Sequence, residues 1–410
     1  MKYFLLLIGF LLLFTTGNEI NAQMSGCNDP LATNYNASAT QNDGSCKYSE
    51  AFVSPASSVN LPDYLNETSG LIYWNQKIWT HNDDTDIKLY SFKSSSVNDV
   101  KSYSLPRTVN NDWEDISQDF KYLYIGDFGN NKNGNRSDLK ILRVDKNSLL
   151  TNNTKIDTIS FRYSLQNNLN ASGSNNTDFD CEAFIVSNDS IYLFTKEWVS
   201  KKTSVYVLPK IPGKYVANYR DKYDAGGLIT GATFHETKKL IVLTGYSSLL
   251  QPFLILLYDY RENDFFSGNK RKVLINAPFH QVEGICSETE LKYFISNESR
   301  TQSGITIPQK LHQLDLSELL GNYISSQSAN VPRITFKTVS IYPNPANTTI
   351  TVNSPKDLTG KEFVIYDIFG REVLRGQLKS ENTLLDLTET DPGFYIVCIN
   401  GNIFKRLIIK

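Results

Sequence analysis

Short runs of alternating apolar and polar residues recur along the middle of the chain, and they predict β-strands. Between Lys121 and Ile125, for example, successive side chains must face opposite sides of a sheet. Five times a short phrase leads into such a strand, then a turn rich in Asn, Asp or Lys, then a second strand that ends on polar residues. The phrases are Glu67–Ile72, Trp113–Ile116, Cys181–Phe184, Thr230–Phe234 and Val282–Ile285.

The spacing of this repeat predicts a β-propeller. Aligning Gly70, Asp115, Ala183, Ala232 and Gly284 gives spacings of 45, 68, 49 and 52 residues, and blades of ~40–50 residues are typical of propellers. We therefore predict an all-β chain with a five-bladed β-propeller over residues 50–330; a sixth blade inside the long second period is the alternative. The last blade lacks strands, and Ala51–Asn60 is expected to supply its outer strand and close the ring.

An acidic residue precedes the first strand of four of the five units. These residues are Glu67, Glu114, Glu182 and Glu283, whereas the fourth unit carries Gly231. In a propeller they would meet at one end of the central channel. Two interpretations follow: the acids tie one blade to the next by accepting backbone N–H bonds, or they form a ring that is protonated or binds a metal, because crowded carboxylates repel each other.

The second strands end on further polar residues at the same predicted face. They include His81 and Asp127, and His81 is our candidate general base; a hydrogen-bonded structural histidine is the alternative. No pair of the four histidines has metal-motif spacing, and no nucleophile elbow, zinc cluster or phosphate loop is present. Cys181 and Cys286 each lie beside an axial strand, where they either pair across the channel or remain buried thiols.

The N-terminal region predicts export. Residues 1–22 have the positive start and short apolar core of a secretory signal, and no later segment has the length of a membrane helix. A lipoprotein cleavage box at Cys27 is the rival interpretation. In residues 23–49, Cys27 and Cys46 lie in a segment with almost no apolar core, which predicts a disulfide clip.

Charge excludes one class of partner. The net charge is −2, the isoelectric point is about 6.2, and no basic stripe occurs, so we expect no nucleic-acid partner.

A second domain follows a predicted linker at residues 331–335. Residues 336–410 predict a small β-sandwich, and they resemble the C-terminal sorting domain of type IX secretion cargo in Bacteroidetes. The resemblance rests on the segments around Pro343, Asn344, Pro345, Gly370, Gly393, Tyr395 and Lys410. It implies a secreted or outer-surface protein that meets the outer-membrane secretion machinery and a sorting peptidase. It also implies release or attachment to surface lipopolysaccharide.

Two weaker resemblances concern the other regions. Residues 26–48 are similar to short Cys-Asp-Pro…Asp-Gly-Ser-Cys display repeats of the same bacteria. The phrases Ser-Gly-Leu-Ile-Tyr and Gly-Asp-Phe-Gly-Asn-Asn resemble uncharacterised secreted propellers and, more distantly, esterase-like phytases and lactonases. In the lactonase-type enzymes one divalent ion sits in the channel, and Glu67 with Asp127 would correspond to its ligands.

Two hypotheses for the function follow. The first is a binding or display protein that grips a glycan, a peptide or a partner on one propeller face. The second is a calcium-dependent hydrolase of the phosphoesterase or lactonase kind. It would use an axial calcium ion held by Glu67, Asp127, Glu114, Glu182 and Glu283. The sequence names no substrate.

Overall fold

The structure is a computed structural model that describes residues 23–83, 86–151, 153–302, 304–329, 339–401 and 403–410. The predicted signal peptide and the predicted linker lie outside the described residues. Strands dominate, and the chain is all-β with a propeller-like arrangement of its central sheets.

The N-terminal segment forms a small disulfide-linked module. Its strands β1 (Ser25–Gly26) and β2 (Gln41–Asn42) pair in parallel. Cys27 and Cys46 form the predicted disulfide, with a Cα–Cα distance of 4.8 Å. The module docks on the central region, because the Asp29 carboxylate accepts hydrogen bonds from the hydroxyls of Tyr48 (2.7 Å) and Tyr258 (2.6 Å).

Two short strands follow the module: β3 (Phe52–Val53) and β4 (Ser57–Asn60). They lead into four units, each of four antiparallel strands consecutive in sequence. Unit one comprises β5 (Ile72–Trp74), β6 (Lys77–Thr80), β7 (Lys88–Lys93) and β8 (Ser96–Ser104). Unit two comprises β9 (Trp113–Gln118), β10 (Tyr122–Asp127), β11 (Lys140–Asp145) and β12 (Ile156–Tyr163).

Units three and four repeat this pattern. Unit three comprises β13 (Cys181–Ser187), β14 (Ser190–Thr195), β15 (Thr203–Pro209) and β16 (Gly213–Tyr223). Unit four comprises β17 (Leu228–His235), β18 (Leu240–Tyr246), β19 (Pro252–Tyr258) and β20 (Asn269–Ile275). The outer strands β12 and β16 pair in parallel, so units two and three form one continuous sheet.

The fifth unit is completed by the start of the chain. It contains β21 (Val282–Ser287), β22 (Lys292–Asn297) and β25 (Lys310–Asp315). The connection from β22 to β25 forms a hairpin of β23 (Arg300–Gln302) and β24 (Ile305–Ile307). Strand β4 pairs antiparallel with β25 as the outer strand, and β3 adds a fifth strand to unit four. The N-terminal segment therefore covers two sheet edges that would otherwise be open.

The first strands of the five units are neighbours around one axis. β9 contacts β13, β13 contacts β17, β17 contacts β21, and β5 contacts both β21 and β9. Glycines permit the approach, because a Cβ at Gly284 would lie 3.0 Å from the Ser69 carbonyl oxygen. Five apolar clusters fill the spaces between neighbouring units, including one between units five and one that contains Phe294 and Phe92.

The described residues include two α-helices and three short 3₁₀ helices between strands, and the sequence patterns did not predict them. Helix α1 (Lys146–Leu150) begins where the Asp145 carboxylate accepts from the Ser148 N–H. Helix α2 (Ser317–Ala329) packs Leu320 against units four and five. The 3₁₀ helices span Asp63–Leu65, Glu236–Lys238 and Lys356–Leu358. None of the described helices is long and apolar enough to cross a membrane.

The C-terminal region forms two sheets around one apolar core. One sheet contains β26 (Ser340–Tyr342), β27 (Thr349–Asn353) and β30 (Asn382–Asp386). The other contains β28 (Glu362–Asp367), β29 (Glu372–Gln377), β31 (Gly393–Ile399) and β32 (Ile403–Ile409). Buried residues from both sheets, such as Ile350 and Val397, share this core.

The remaining cysteines do not form disulfides. Cys181, Cys286 and Cys398 are free and buried. Of the two alternatives for Cys181 and Cys286, the structure therefore has the buried thiols. Burial raises the pKa of both of these thiols, which keeps them in the protonated, unreactive form.

Candidate functional site

The repeated acids lie on β-bulges at one end of the ring, which we call the mouth. In unit two, Gly126 pairs with Asp115 and Asp127 pairs with Trp113, so Glu114 has no partner residue. The same register shift occurs at Glu182 in unit three and at Glu283 in unit five. A bulge re-aims the side chain of its extra residue, and here it brings glutamates from three units to the mouth.

In units four and one, hydroxyl residues lie where the other three units carry the bulge glutamates. The bulge of unit four falls at Thr230, one residue before the Gly231 that sequence alignment placed opposite the acids. The Thr230 hydroxyl donates to the Val282 carbonyl at 2.6 Å, and the Ser69 hydroxyl of unit one donates to the Glu114 carbonyl. These hydroxyls therefore bond to the inner strand of the neighbouring unit rather than carrying charge.

Three carboxyl groups at the mouth, which we call the inner group, are almost fully buried. Oxygen atoms of Glu114, Asp180 and Glu182 lie within 4.8 Å of one another. Asp180 is held by the Asn130 N–H and by the Trp198 indole N–H (2.7 Å), and Glu182 pairs with Lys196. No hydrogen bond from the described residues reaches the carboxylate of Glu114, although the residue is only 6% exposed.

A second set of carboxyl groups, the outer group, is partly exposed. Oxygen atoms of Glu67, Asp83 and Glu298 lie within 4.8 Å of one another. Glu283 stands between the two groups. The Gln281 amide donates to Glu283 (2.9 Å) and to Glu298, and the amide oxygen of Gln281 accepts from Arg300.

Burial and mutual repulsion favour the protonated forms of these acids. Burial, then the neighbouring acids, raise the pKa of Glu114 well above its ordinary value, and the pKa values of Glu182, Asp180 and Glu283 are also raised. For Glu298 the same causes give a pKa of about 9. Burial and the charge of Asp180 raise the pKa of Asp112, which borders Glu114, to about 6.

The mouth contains more acidic than basic side chains. Burial opposes the charge of Lys196, but Glu182 and Glu283 hold the pKa of its ammonium well above the usual value. Three basic residues lie there, namely Lys196, Arg136 and Arg300. The acids are more numerous: Glu67, Asp83, Asp112, Glu114, Asp180, Glu182, Glu283 and Glu298. Such a site favours a bound cation or bound protons.

A different acid forms the tie between units that we considered for the repeated glutamates. The carboxylate of Asp115, which is fully buried, accepts from the N–H groups of Ile116 (2.8 Å) and Phe184 (3.0 Å). A Cβ at Gly70 would lie 2.6 Å from an Asp115 carboxylate oxygen. The sequence held a signal for this role, because Asp115 is the one acid aligned with glycines and alanines.

Asp127 lies outside both carboxyl groups. It is fully buried, and its carboxylate forms ion pairs with Arg136 (2.8 Å) and Lys140 (2.7 Å). Both of its oxygens therefore already face a cation from the same unit.

His81 also lies apart from the acids. Its ring is fully buried and packs edge-on against Trp113, with 5.8 Å between ring centroids. Its Nδ1 lies 3.1 Å from the Asn82 carbonyl oxygen. Burial lowers the pKa of His81 to about 4, so the ring is neutral at physiological pH.

The predicted sorting residues organise the ends of the C-terminal region. Asn344, between Pro343 and Pro345, accepts from the Ile408 N–H (3.0 Å) and donates to the Arg406 carbonyl (2.7 Å). The Tyr395 hydroxyl donates to the Asp391 carbonyl (2.6 Å) in the strand that Gly393 begins. Lys410 donates its N–H to the Ala346 carbonyl, and Gly370 turns with a φ of +75°.

Comparison with known proteins identifies the family of the C-terminal region. Residues 340–410 match the family described as the secretion system C-terminal sorting domain. No curated protein sequence matches the chain. Among solved structures, the chain is similar to PorZ, a surface component of the type-IX secretion system of Porphyromonas gingivalis. The identity is 11% and the TM-score 0.29, over 84% of this chain and 45% of PorZ.

A second similar structure is the PQQ-bound aldose sugar dehydrogenase of Streptomyces coelicolor. The identity is 10% and the TM-score 0.39, over 64% of this chain and 97% of the dehydrogenase. The sorting domain marks the chain as cargo of the type IX secretion machinery, and the protein is secreted or attached to the outer cell surface.

Proposed function

We propose that the protein is an exported five-bladed propeller whose mouth binds a calcium ion and, through it, an extracellular ligand. The observation that carries the proposal is the convergence of three nearly buried carboxyl groups, those of Glu114, Asp180 and Glu182, whose oxygen atoms lie within 4.8 Å of one another. Crowded carboxylates repel one another, and a bound cation would remove that repulsion.

The chemistry of the donor atoms supports calcium. All donors of the inner group are carboxylate oxygens, which suit hard cations such as calcium and magnesium rather than zinc. Calcium takes six to eight oxygens in flexible arrangements, so Glu283 and the outer group are candidate additional ligands. Lys196 would compete with the ion for Glu182, which makes the affinity depend on how far that pair separates.

The rest of the proposal concerns the export of the protein, its number of blades and its ligand. We infer that residues 1–22 direct the chain across the inner membrane and that a sorting peptidase removes the C-terminal region. The mature protein is then released or attached to surface lipopolysaccharide. We infer five blades because five interfaces between units close into a ring, with β4 completing the last unit. A glycan is one ligand that calcium at the mouth would hold through hydroxyl oxygens.

A calcium-dependent hydrolase is the second candidate, and one observation favours it. Asp112 borders Glu114, so its carboxylate would lie near an ion held there and is the candidate general base. In that mechanism calcium would orient and activate a water molecule, and Asp112 would accept its proton. The ring of His81 is fully buried against Trp113, so Asp112 replaces it as the proposed base.

Calorimetric titration of the purified mature chain with calcium tests the proposal. We expect binding, and at a calcium concentration 100 times the dissociation constant a stabilisation of about 2.7 kcal/mol. Glu114→Gln should weaken binding, whereas Asp264→Asn, which removes a half-exposed acid at the opposite end of the ring, should not. No heat and no stabilisation at millimolar calcium would refute the calcium site. Screens with phosphoesters and lactones then separate a binding protein from a hydrolase.

A further inference from the structure

Large apolar side chains are exposed on the loops of the mouth face. Between residues 61 and 316 most of the exposed large apolar residues lie in loops at this end of the ring. Six of them come from six different connections between the strands of the units: Tyr64, Val109, Val199, Leu249, Phe279 and Ile305. Leu249 is 81% exposed and Ile305 is 71% exposed. We call these six residues the apolar rim.

The other end of the ring differs. Its exposed large apolar residues are Phe120, Leu150 and Ile211. Phe120 packs against Tyr366 and Phe404 of the C-terminal region, and Leu150 borders a cavity shared with that region. Two of these three residues therefore border the C-terminal region, whereas Tyr64 of the rim packs on Tyr90 of its own unit, with 5.8 Å between ring centroids.

The rim is joined directly to the acidic mouth. Val199 follows Trp198, whose indole N–H is bonded to Asp180 of the inner group. Phe279 lies two residues before Gln281, which bridges Glu283 and Glu298. The hairpin that carries Ile305 begins at Arg300, which donates to the same Gln281 at 2.7 Å. A ligand on the rim would therefore cover the acids.

The backbone holds one rim side chain outward at a conformational cost. Phe279 has a φ of +68°, a left-handed conformation that is uncommon for a bulky residue. Its N–H donates to the carbonyl of Leu250, which also has a positive φ, and this bond joins two rim loops. Strain of this kind persists where the surrounding structure enforces it, and it clusters at ligand-binding surfaces.

We propose that the mouth face docks a protein segment in which a lysine or arginine is flanked by apolar side chains. The basic side chain would enter the acidic mouth and the apolar side chains would cover the rim. Charge complementarity selects this occupant, because a basic side chain could replace the protons that these crowded carboxyl groups hold, whereas an anionic lipid surface could not. This docking shares the acids with the proposed calcium site and does not require calcium.

A randomised peptide library, selected against the purified mature chain in EDTA, tests the docking. We expect the selected peptides to contain lysine or arginine with an apolar residue within two positions. Acetylating the lysine of a selected peptide should weaken binding at least about tenfold, the loss expected for a central anchor. Selection of no peptides, or of peptides without a basic residue, would overturn the inference.

Variants locate the binding surface. Leu249→Ser with Phe279→Ser should weaken the selected peptide roughly tenfold, and Glu114→Gln should weaken it as well. Ile211→Ser, which removes an equally exposed apolar side chain at the other end, should leave affinity unchanged. An equal loss in Ile211→Ser would overturn the inference, as would light scattering that shows a rim-dependent dimer of this chain. Added calcium should displace the peptide if both proposals hold; peptide binding without any calcium binding would refute only the calcium site.

Discussion

Asp115 should be the residue whose loss most weakens the ring. Its carboxylate is fully buried and accepts from the N–H groups of Ile116 and Phe184, which belong to the inner strands of units two and three. Asp115→Ala leaves both donors buried without an acceptor. Each such loss costs about 1–3 kcal/mol, so we expect the free energy of unfolding to fall by about 2–6 kcal/mol.

Burial of the Asp115 carboxyl raises its pKa well above the ordinary value, because burial disfavours the charged form. This cost offsets part of the stabilisation that the two hydrogen bonds provide. We therefore expect Asp115→Asn, which keeps one acceptor oxygen and carries no charge, to cost less than Asp115→Ala. Asp157→Ala is the control. Asp157 forms an ion pair with Arg143 but is half exposed, so its loss should cost less than about 1 kcal/mol.

Urea unfolding followed by tryptophan fluorescence measures these differences. All four tryptophans, Trp74, Trp79, Trp113 and Trp198, lie in the central units, so the signal reports on the ring and not on the C-terminal region. The midpoint should fall without a change in the slope of the transition. If Asp115→Ala stayed within about 0.5 kcal/mol of the native protein, the tie between inner strands would be refuted.

Three further predictions concern protons, the disulfide and ring closure. The folded protein holds protons that the unfolded chain has released, because the pKa of Glu298 is raised to about 9 and that of Asp112 to about 6. Thermal melting in EDTA should therefore show stability falling between about pH 5 and pH 9. A rise of stability over this range would contradict the prediction. Replacing Cys27 and Cys46 by serine should destabilise the module by about 3 kcal/mol, because the disulfide closes a loop of 19 residues; limited proteolysis would show it as faster cleavage within residues 23–49, and unchanged cleavage would argue against the clip. Deleting residues 23–60 should cause aggregation because it uncovers the edge strand β25, whereas deleting only residues 23–49 leaves β4 in place and should not; light scattering distinguishes the two deletions.

Much of the fold was predictable because its signals are local. Each of the five repeated phrases overlaps the inner strand of one unit. Within the predicted Ala51–Asn60, Ser57–Asn60 supplies the outer strand of the last unit, whereas Phe52–Val53 pairs with unit four. Helix α2 was missed. Its packing against units four and five through Leu320 depends on tertiary contact rather than on a strong amphipathic pattern.

The site was predictable only in outline. Repetition located Glu114, Glu182 and Glu283, and the structure brings all three to the mouth. The bulge of unit four falls at Thr230, one residue before the aligned Gly231. A sequence alignment cannot detect this shift, because a β-bulge has no residue signature of its own. Asp180 occupies in unit three the position that Asp112 occupies in unit two, two residues before the bulge glutamate, so the repeat held a signal for it. Lys196 is one of the polar residues that follow the second strands.

The placements of Asp127 and His81 depend on contacts distant in sequence. Asp127 ends its strand as expected, but Arg136 and Lys140 from the following loop and strand pair with it. His81 also ends its strand at the mouth, but its ring turns between units to pack against Trp113. Strand position predicted the face of the molecule for both residues and not the direction of either side chain.

Terbium luminescence would test the proposed calcium site most directly. Terbium replaces calcium at oxygen-ligand sites, and Trp198, whose indole nitrogen lies 2.7 Å from an Asp180 oxygen, is placed to transfer excitation energy to an ion in the inner group. We predict sensitised emission from the native chain, its loss when calcium is added, and little emission from Glu114→Gln. An absence of sensitised emission from the native chain, or equal emission from Glu114→Gln, would contradict a cation site at the mouth.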